Sequence, residues 1–85
     1  LTELAREGVT FSESFVNTAV CCPSRATLLT GRCAHNTGVL TNGGDYGGWA
    51  QFRDEDGTAP GSVAVTVPAL LSAAGYRTGA FGKYM

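Results

Sequence analysis

Apolar residues recur along the chain with two different periods, which predict short helices alternating with strands. In Leu1–Glu7 they follow helical spacing and stop at Gly8, as in the last turns of a helix. In Val9–Val16 they alternate with polar residues, which predicts a strand with one apolar face. Glu13 interrupts that face, and we interpret it as a solvated group at a strand edge.

A second helix is predicted at Pro23–Thr30. Pro23 has the backbone angle of a first helical turn and lacks an amide hydrogen that this turn would leave unpaired. Gly31 can adopt the left-handed conformation that closes a helix. Cys21 is then predicted to lie just before the helix N-terminus, where amide hydrogens and the helix dipole favour an anion. Arg25 follows four residues later, so its guanidinium can reach the same corner.

The segment Gly38–Gly61 holds seven of the twelve glycines and shows no sustained period, which predicts a long irregular loop. Three aromatic residues interrupt it: Tyr46, Trp49 and Phe52. We interpret them as anchors that hold the loop on the body of the protein, because aromatic side chains mostly serve burial. The alternative is that they form a wall of a sugar-binding site.

A third helix is predicted after Thr66, which can cap it, with Pro68 in its first turn and Gly75 at its end. Its apolar face would consist of Val67, Leu70, Leu71 and Ala74. A second strand is predicted at Tyr76–Phe81, directly before Gly82 and Lys83. Strands separated by helices favour a parallel sheet with right-handed crossovers. That arrangement would bring Lys83 to the same sheet edge as Cys21.

Composition excludes several classes of function. The chain has 85 residues with 6 Lys and Arg against 7 Asp and Glu, and no basic stripe indicates a nucleic-acid or anionic membrane surface. No stretch approaches the length of a transmembrane segment, and no signal peptide is recognisable. A core of this size is marginal alone, so we interpret the chain as part of a larger domain. Its three cysteines form neither an even disulfide framework nor a zinc pattern.

From the residues alone, Cys21 has one chemical interpretation, a reactive thiol. A thiol at a helix N-terminus beside Arg25 could be a nucleophile for redox or acyl-transfer chemistry, but such catalysis normally needs a base. His35 is the only histidine, and we interpret it as a loop-stabilising residue.

Cys21-Cys22-Pro23-Ser24-Arg25, followed by Leu29-Thr30-Gly31-Arg32, resembles the signature of the type I sulfatases. The doubled cysteine and Gly82-Lys83-Tyr84 are similar to the N-acetylglucosamine-6-sulfatase branch, which acts on glycosaminoglycan sugars. The resemblance implies an α/β fold of the alkaline-phosphatase-like type, a three-layer sandwich with a mainly parallel sheet. Residues 1–85 would be an N-terminal part of that catalytic domain, without its first metal-binding strand and its C-terminal part.

The resemblance also implies a mechanism for hydrolysis of sulfate esters. A formylglycine-generating maturation enzyme would oxidise Cys21 to formylglycine, and the hydrated aldehyde would bind a divalent metal, usually calcium. One hydroxyl would attack sulfur to form a covalent sulfo-enzyme, and the second would expel sulfate as the carbonyl re-forms. Arg25 would hold the diol and balance oxyanion charge, and Lys83 would bind the diol or a sulfate oxygen. Cys21, Arg25 and Lys83 are thus the expected catalytic residues, Cys21 also contributing to the metal site and Lys83 to substrate binding.

The family's remaining metal ligands would lie outside the chain, so residues 1–85 alone are expected to be inactive. Met85 stands where some sulfatases have a histidine of the site, which disfavours arylsulfatase substrates.

Cys33 stands where an aromatic residue is common, and we interpret it as a small buried hydrophobe. Cys22 is interpreted as a packing residue. Ser24 is interpreted as a helix-capping hydroxyl, as part of the sequence read by the maturation enzyme, or as both.

Two alternatives stay open. One is a related phosphonate monoester or phosphodiester hydrolase with the same modified residue, and the other is a non-catalytic protein that binds sulfated glycan and keeps Cys21 as a thiol. The expected partners are a sulfated carbohydrate and the maturation enzyme. The family suggests a secreted, periplasmic or lysosomal location, which the composition alone does not indicate.

Overall fold

The computed structural model describes residues 1–53 and 63–85, and the end of the predicted Gly38–Gly61 loop lies outside them. The described residues form five short α-helices and one 3-10 turn at Val63–Val65. The helices are α1 Thr2–Glu7, α2 Cys21–Thr30, α3 Ala34–Thr37, α4 Gly48–Arg53 and α5 Val67–Ala73. All three predicted helices are therefore confirmed, while α3 and α4 are short helices that the sequence pattern did not predict.

Helix α2 lies at the centre of the described residues and contacts α3, α4 and α5. Its buried side consists of Cys22, Pro23 and Ala26. Val39 and Phe52, each fully buried, complete a small core with Cys22 and Ala26. The residues that follow α2 in sequence thus fold back against it, which confirms Cys22 as a packing residue.

The ends of α2 follow from the chemistry of its residues. The helix begins two residues earlier than predicted, with Val20 as the N-cap and Cys21 as its first residue. Pro23 remains within the first turn, where a missing amide hydrogen costs nothing because those donors have no intrahelical acceptor. At the other end Gly31 has φ = 69°, the left-handed conformation predicted for it.

The two predicted strands are wrong for the residues that the structure describes. Val9–Val16 and Tyr76–Phe81 are irregular and almost entirely exposed, and the one β-bridge in residues 1–53 and 63–85 joins Thr41 to Gly47. An alternating pattern shows which face of a strand would be buried, but it supplies no neighbouring strand to accept its hydrogen bonds. The parallel sheet of the predicted sandwich is therefore not formed within this part of the chain.

Helix α5 is capped as predicted, but its apolar face is not buried. Thr66 is 2% exposed, and its Oγ1 accepts a hydrogen bond from the amide of Ala69 at 3.4 Å. Val67 and Leu70, on the face expected to be apolar and buried, are 50% and 57% exposed. The capping residue acts locally and was readable from the sequence, whereas burial depends on what covers the helix.

A tight turn returns the chain from Val39 to α4. The Leu40 amide donates to the Tyr46 carbonyl at 2.7 Å, and the Gly48 amide donates to the Thr41 carbonyl at 3.1 Å. Gly48 has φ = 65°, and a Cβ added there would lie 2.7 Å from the Asn42 carbonyl oxygen. Both the backbone angle and the space at this position therefore require glycine.

We expect Gly48→Ala to loosen this turn, because alanine would combine left-handed strain with a backbone contact, at a cost of about 1–3 kcal/mol. Amide hydrogen exchange of Leu40 in the full-length protein should then accelerate by about 5- to 100-fold. Gly43→Ala is the matched control, because a Cβ at Gly43 meets nothing within 4 Å. Equal exchange rates in the two variants would contradict the expectation.

Candidate active site

Cys21 lies at the mouth of an open cleft where the chain enters α2. The cleft encloses about 290 Å³ and is lined by Val16, Thr18, Ala19, Val20, Cys21, Ser24 and Arg25. Cys21 itself is exposed, in contrast to the neighbouring Cys22, which is 6% exposed. Of the two adjacent cysteines, Cys21 is therefore the one that a modifying enzyme or a substrate can reach.

Asn42 caps the helix beside Cys21, a contact that sequence reasoning missed. Its Oδ1 accepts a hydrogen bond from the Cys22 amide at 2.9 Å, and the Cys22 thiol lies 3.9 Å from its backbone carbonyl oxygen. The contact joins residues twenty positions apart, so no local pattern indicated it. The only signal was the Asn-Gly-Gly turn at Asn42, which indicates a turn but not what the turn touches.

The amides at the start of α2 are only partly available to an anion in the cleft. Asn42 occupies the Cys22 amide, and Pro23 has no amide hydrogen to offer. Two of the three first-turn positions therefore donate nothing to an anion in the cleft. The helix amides therefore offer an anion less than the sequence analysis expected, and an anion-binding role for this corner stays a prediction that includes Arg25.

Arg25 connects α2 to the turn that carries Lys83. Its side chain is half-buried, and its Nη1 donates a hydrogen bond to the backbone carbonyl oxygen of Lys83. Arg25 and Ser24 line a second cleft of about 400 Å³ together with Leu28, Leu29, Lys83 and Tyr84. Ser24 and Arg25 line both clefts, so Arg25 lies between the cleft that Cys21 lines and the cleft that Lys83 lines.

Two of the three loop aromatics pack as the anchoring interpretation predicts. Phe52 is fully buried, and its ring lies 6.1 Å from that of Trp49 and 6.4 Å from that of Tyr84, measured between centroids. Trp49 also meets Tyr84 edge to face at 5.8 Å. Tyr46 is 65% exposed and lies outside this cluster. Trp49, Phe52 and Tyr84 therefore fasten the loop to the turn beside Lys83.

Several secondary expectations need correction. Ser24 does not cap α2, because Val20 is the N-cap residue and Ser24 lies inside the first turn of the helix. Cys33 is exposed rather than buried, since it lies in extended conformation as the N-cap of α3. His35 lies in the last turn of α3, is exposed and lines neither cleft.

The described residues do not make a metal site by themselves. No group of three or more His, Cys, Asp or Glu side chains in residues 1–53 and 63–85 is arranged to hold a metal ion. The two clefts are lined by hydroxyl, thiol, guanidinium and ammonium groups, and none of their lining residues is a carboxylate. Hard divalent cations such as calcium require several oxygen ligands, so a metal here would need residues beyond this part of the chain.

Comparison with known proteins gives a consistent result. The sulfatase family model matches residues 1–85. An arylsulfatase of Chlamydomonas reinhardtii is 40% identical over 78 residues, which are 92% of this chain and 11% of that protein. The N-acetylglucosamine-6-sulfatase of Homo sapiens is 37% identical over 83 residues, 92% of this chain and 13% of that protein. The extracellular sulfatase SULF-1 homolog of Drosophila melanogaster is 38% identical over 80 residues, 92% of this chain and 6% of that protein.

The chain thus spans between 6% and 13% of the length of these relatives. No solved structure matches it. Within the described residues, no helix combines the length and the apolar character that crossing a membrane requires.

Proposed function

The chain belongs to the sulfatase family, and we propose that the full-length protein carrying it hydrolyses sulfate esters of a sulfated sugar. Residues 1–85 would be an N-terminal part of its catalytic domain, with the alkaline-phosphatase-like fold of the superfamily. The observation that carries the proposal is the Arg25 guanidinium, which borders the Cys21 cleft and holds the backbone of Lys83. A guanidinium beside the reactive position, bonded to the backbone of a lysine, suits a sulfate group, which carries its negative charge on several oxygens.

Cys21 is the proposed site of modification to formylglycine, the 3-oxoalanine residue. Its exposure at the mouth of a cleft fits this role, whereas Cys22 and its amide are held by the core and by Asn42. When present, the hydrated aldehyde would supply an oxygen nucleophile for sulfate transfer, and the sugar alcohol would be the leaving group.

The remaining residues bind and orient the sulfate group. Arg25 can direct N–H groups that are not bonded to Lys83 toward the cleft, because a guanidinium carries five donors in a fixed plane. The Lys83 ammonium, exposed at the second cleft, would hold a sulfate oxygen from the other side. Both cations would stabilise negative charge that builds up as the ester bond breaks.

A calcium ion is the proposed metal, although this part of the chain does not fit a complete metal site, as its clefts lack carboxylates. Position 21 would contribute one oxygen ligand after modification, and the other ligands would come from elsewhere in the full-length protein. The chain of residues 1–85 alone should therefore not turn over sulfate esters.

The names of two relatives support a proposed substrate class and location. A relative named N-acetylglucosamine-6-sulfatase, together with Gly82-Lys83-Tyr84, supports a sulfated amino sugar of glycosaminoglycans as the substrate. A relative named extracellular sulfatase supports export of the protein from the cytoplasm. The formylglycine-generating enzyme is the proposed maturation partner, acting on Cys21-Cys22-Pro23-Ser24-Arg25.

The proposal is tested by assaying the purified full-length protein on two sets of substrates. We expect turnover of N-acetylglucosamine 6-sulfate or of sulfated glycosaminoglycan oligosaccharides, and much slower turnover of phosphonate monoesters and phosphodiesters. Faster turnover of the phosphorus esters would contradict the proposed substrate class and indicate a phosphonate monoester or phosphodiester hydrolase. Binding of the oligosaccharides without turnover, together with an unmodified thiol at Cys21, would indicate a glycan-binding protein instead.

A further inference from the structure

We infer that Asn42 is a positioning residue for the reactive residue Cys21, and that it acts as a neutral hydrogen-bond acceptor suited to a site for an anion. The inference rests on the proposed function, because it gives Asn42 a part in the reaction at Cys21. Asn42 lies outside the signature that begins at Cys21, and the role does not require it to touch the sulfate group.

The hydrogen bond between Asn42 and α2 acts directly beside the reactive position. The Asn42 Oδ1 accepts from the Cys22 amide at 2.9 Å. That nitrogen is bonded to the carbonyl carbon of Cys21, so two covalent bonds separate it from the Cys21 Cα atom. Because the peptide unit is planar, the direction of the Cys22 N–H fixes the plane that begins at this Cα atom. Asn42 thus orients the backbone from which the side chain at position 21 projects.

The first turn of α2 needs this acceptor because its own residues do not replace it. Val20, the N-cap residue, makes no side-chain hydrogen bond to the helix. Pro23 has no amide hydrogen, and Ser24 is the first residue whose amide bonds back along the helix, to the Val20 carbonyl oxygen at 3.1 Å. The Cys22 amide precedes it and has no intrahelical acceptor. Its partner must come from another segment, and Asn42 is that partner.

Asn42 is itself held between α2 and α4. The Gly48 amide donates to the Thr41 carbonyl oxygen at 3.1 Å, and a Cβ at Gly48 would lie 2.7 Å from the Asn42 carbonyl oxygen. The start of α4 therefore passes close to the Asn42 backbone. On the other side the Cys22 thiol, which belongs to the buried core, lies 3.9 Å from the same carbonyl oxygen. These contacts fix the backbone from which Asn42 reaches the Cys22 amide.

Asparagine supplies the acceptor without adding a charge. Aspartate caps helices about as well as asparagine, and its charge interacts favourably with the helix dipole. Here, however, a carboxylate would bond the amide next to Cys21, which lines the cleft together with Arg25. Its negative charge would repel a sulfate group in that cleft. The neutral amide of Asn42 therefore suits both the helix and an anionic substrate.

Two substitutions in the full-length protein separate the hydrogen bond from the charge. Asn42→Ala removes the acceptor and should lower kcat for a sulfate ester by about tenfold, because small displacements of reacting groups are costly. Asn42→Asp keeps an acceptor of the same size, so kcat should stay within about threefold of the unaltered protein. Its carboxylate should instead raise the inhibition constant of inorganic sulfate by about three- to tenfold, whereas Asn42→Ala should change that constant by less than about twofold.

Two further measurements separate positioning from folding and from maturation. Rates are divided by the fraction of formylglycine at position 21, measured by mass spectrometry, so that incomplete conversion is not counted as slower chemistry. Amide hydrogen exchange at Cys22 reports the hydrogen bond without any turnover. It should accelerate by about fivefold or more in Asn42→Ala and stay near the unaltered rate in Asn42→Asp.

The outcomes distinguish this inference from the proposed function. An unchanged kcat in Asn42→Ala, or equal losses of kcat in both variants, would overturn the inference and leave the sulfatase proposal standing. If the unaltered protein turns over phosphorus esters instead of sulfate esters, the sulfatase proposal falls, and the same variants measured on those esters decide the inference. If Asn42→Ala does not fold, Asn42→Asp decides alone, and an unchanged inhibition constant overturns the inference. Loss of kcat confined to Asn42→Ala, with weaker sulfate binding confined to Asn42→Asp, supports it.

Discussion

Replacement of Cys21 by alanine in the full-length protein is expected to lower turnover of sulfate esters by about 10⁴-fold or more, the usual scale for loss of a nucleophile. The residue is exposed at the mouth of the cleft that Arg25 borders, and no other cysteine lines either of the two clefts described. Serine at this position should fail as well. Its hydroxyl could accept sulfate, but it has no second oxygen on the same carbon from which a carbonyl could re-form.

Two mass-spectrometric measurements, made in addition to the rate, test this expectation. Mass spectrometry of the peptide containing Pro23 should show an aldehyde at Cys21 in the active protein. In Cys21→Ser, incubation with substrate should leave either an unmodified serine or a stable sulfate ester. The rate should stay near background in both cases.

Cys22→Ala is the matched control for this experiment. It removes a thiol one residue away but keeps the backbone amide that Asn42 caps, and the small cavity should cost about 1 kcal/mol of stability or less. Its turnover should remain within about twofold of the unaltered protein. Full turnover with alanine at position 21 would refute the proposed chemistry.

The features that the sequence predicted correctly depend on a few neighbouring residues. Gly31 closes α2 in the left-handed conformation, and Thr66 caps α5 with Pro68 in its first turn. Each of these preferences arises from the backbone angle or side-chain oxygen of the residue itself. They can therefore be read from the sequence without knowledge of the rest of the fold.

The features that the sequence predicted wrongly depend on distant partners. Val9–Val16 alternates like a strand but has no paired neighbour in the described residues, so its apolar side chains remain exposed. Cys33 was expected to be a small buried hydrophobe, but it is exposed at the N-cap position of α3, a helix that the periodicity did not indicate. In both cases the surroundings, and not the residue, decide the outcome.

The candidate site shows both kinds of dependence. The spacing of Cys21 and Arg25 on one helix was local and predictable, whereas Asn42 and the aromatic cluster were not, because they join segments twenty or more residues apart. Lys83 was expected near Cys21 through a sheet edge. In the structure the Arg25 guanidinium donates a hydrogen bond to the backbone carbonyl oxygen of Lys83, and the proximity of Lys83 to Cys21 stays a prediction.

The second large effect is expected for Arg25. Arg25→Ala should lower kcat for a sulfate ester by about 10²- to 10³-fold, the loss typical of removing one preorganised donor to a developing oxyanion. The loss should lie toward the upper end of this range, because the Arg25 side chain also bonds the Lys83 carbonyl oxygen. Its removal therefore also releases the backbone that carries the Lys83 ammonium. Separate measurement of kcat and KM should show both parameters affected.

Arg25→Lys tests whether the geometry of the guanidinium matters beyond its charge. A lysine ammonium is a compact charge on a flexible stem, so it cannot bond the Lys83 carbonyl and hold a sulfate oxygen with the same planar group. We expect the kcat of Arg25→Lys to exceed the kcat of Arg25→Ala by less than about tenfold. Arg6→Ala, which removes an exposed cation from α1, is the charge-matched control and should leave turnover unchanged. Wild-type turnover in Arg25→Lys would show that charge alone suffices, and the planar bridge between α2 and the Lys83 turn would then have no part in catalysis.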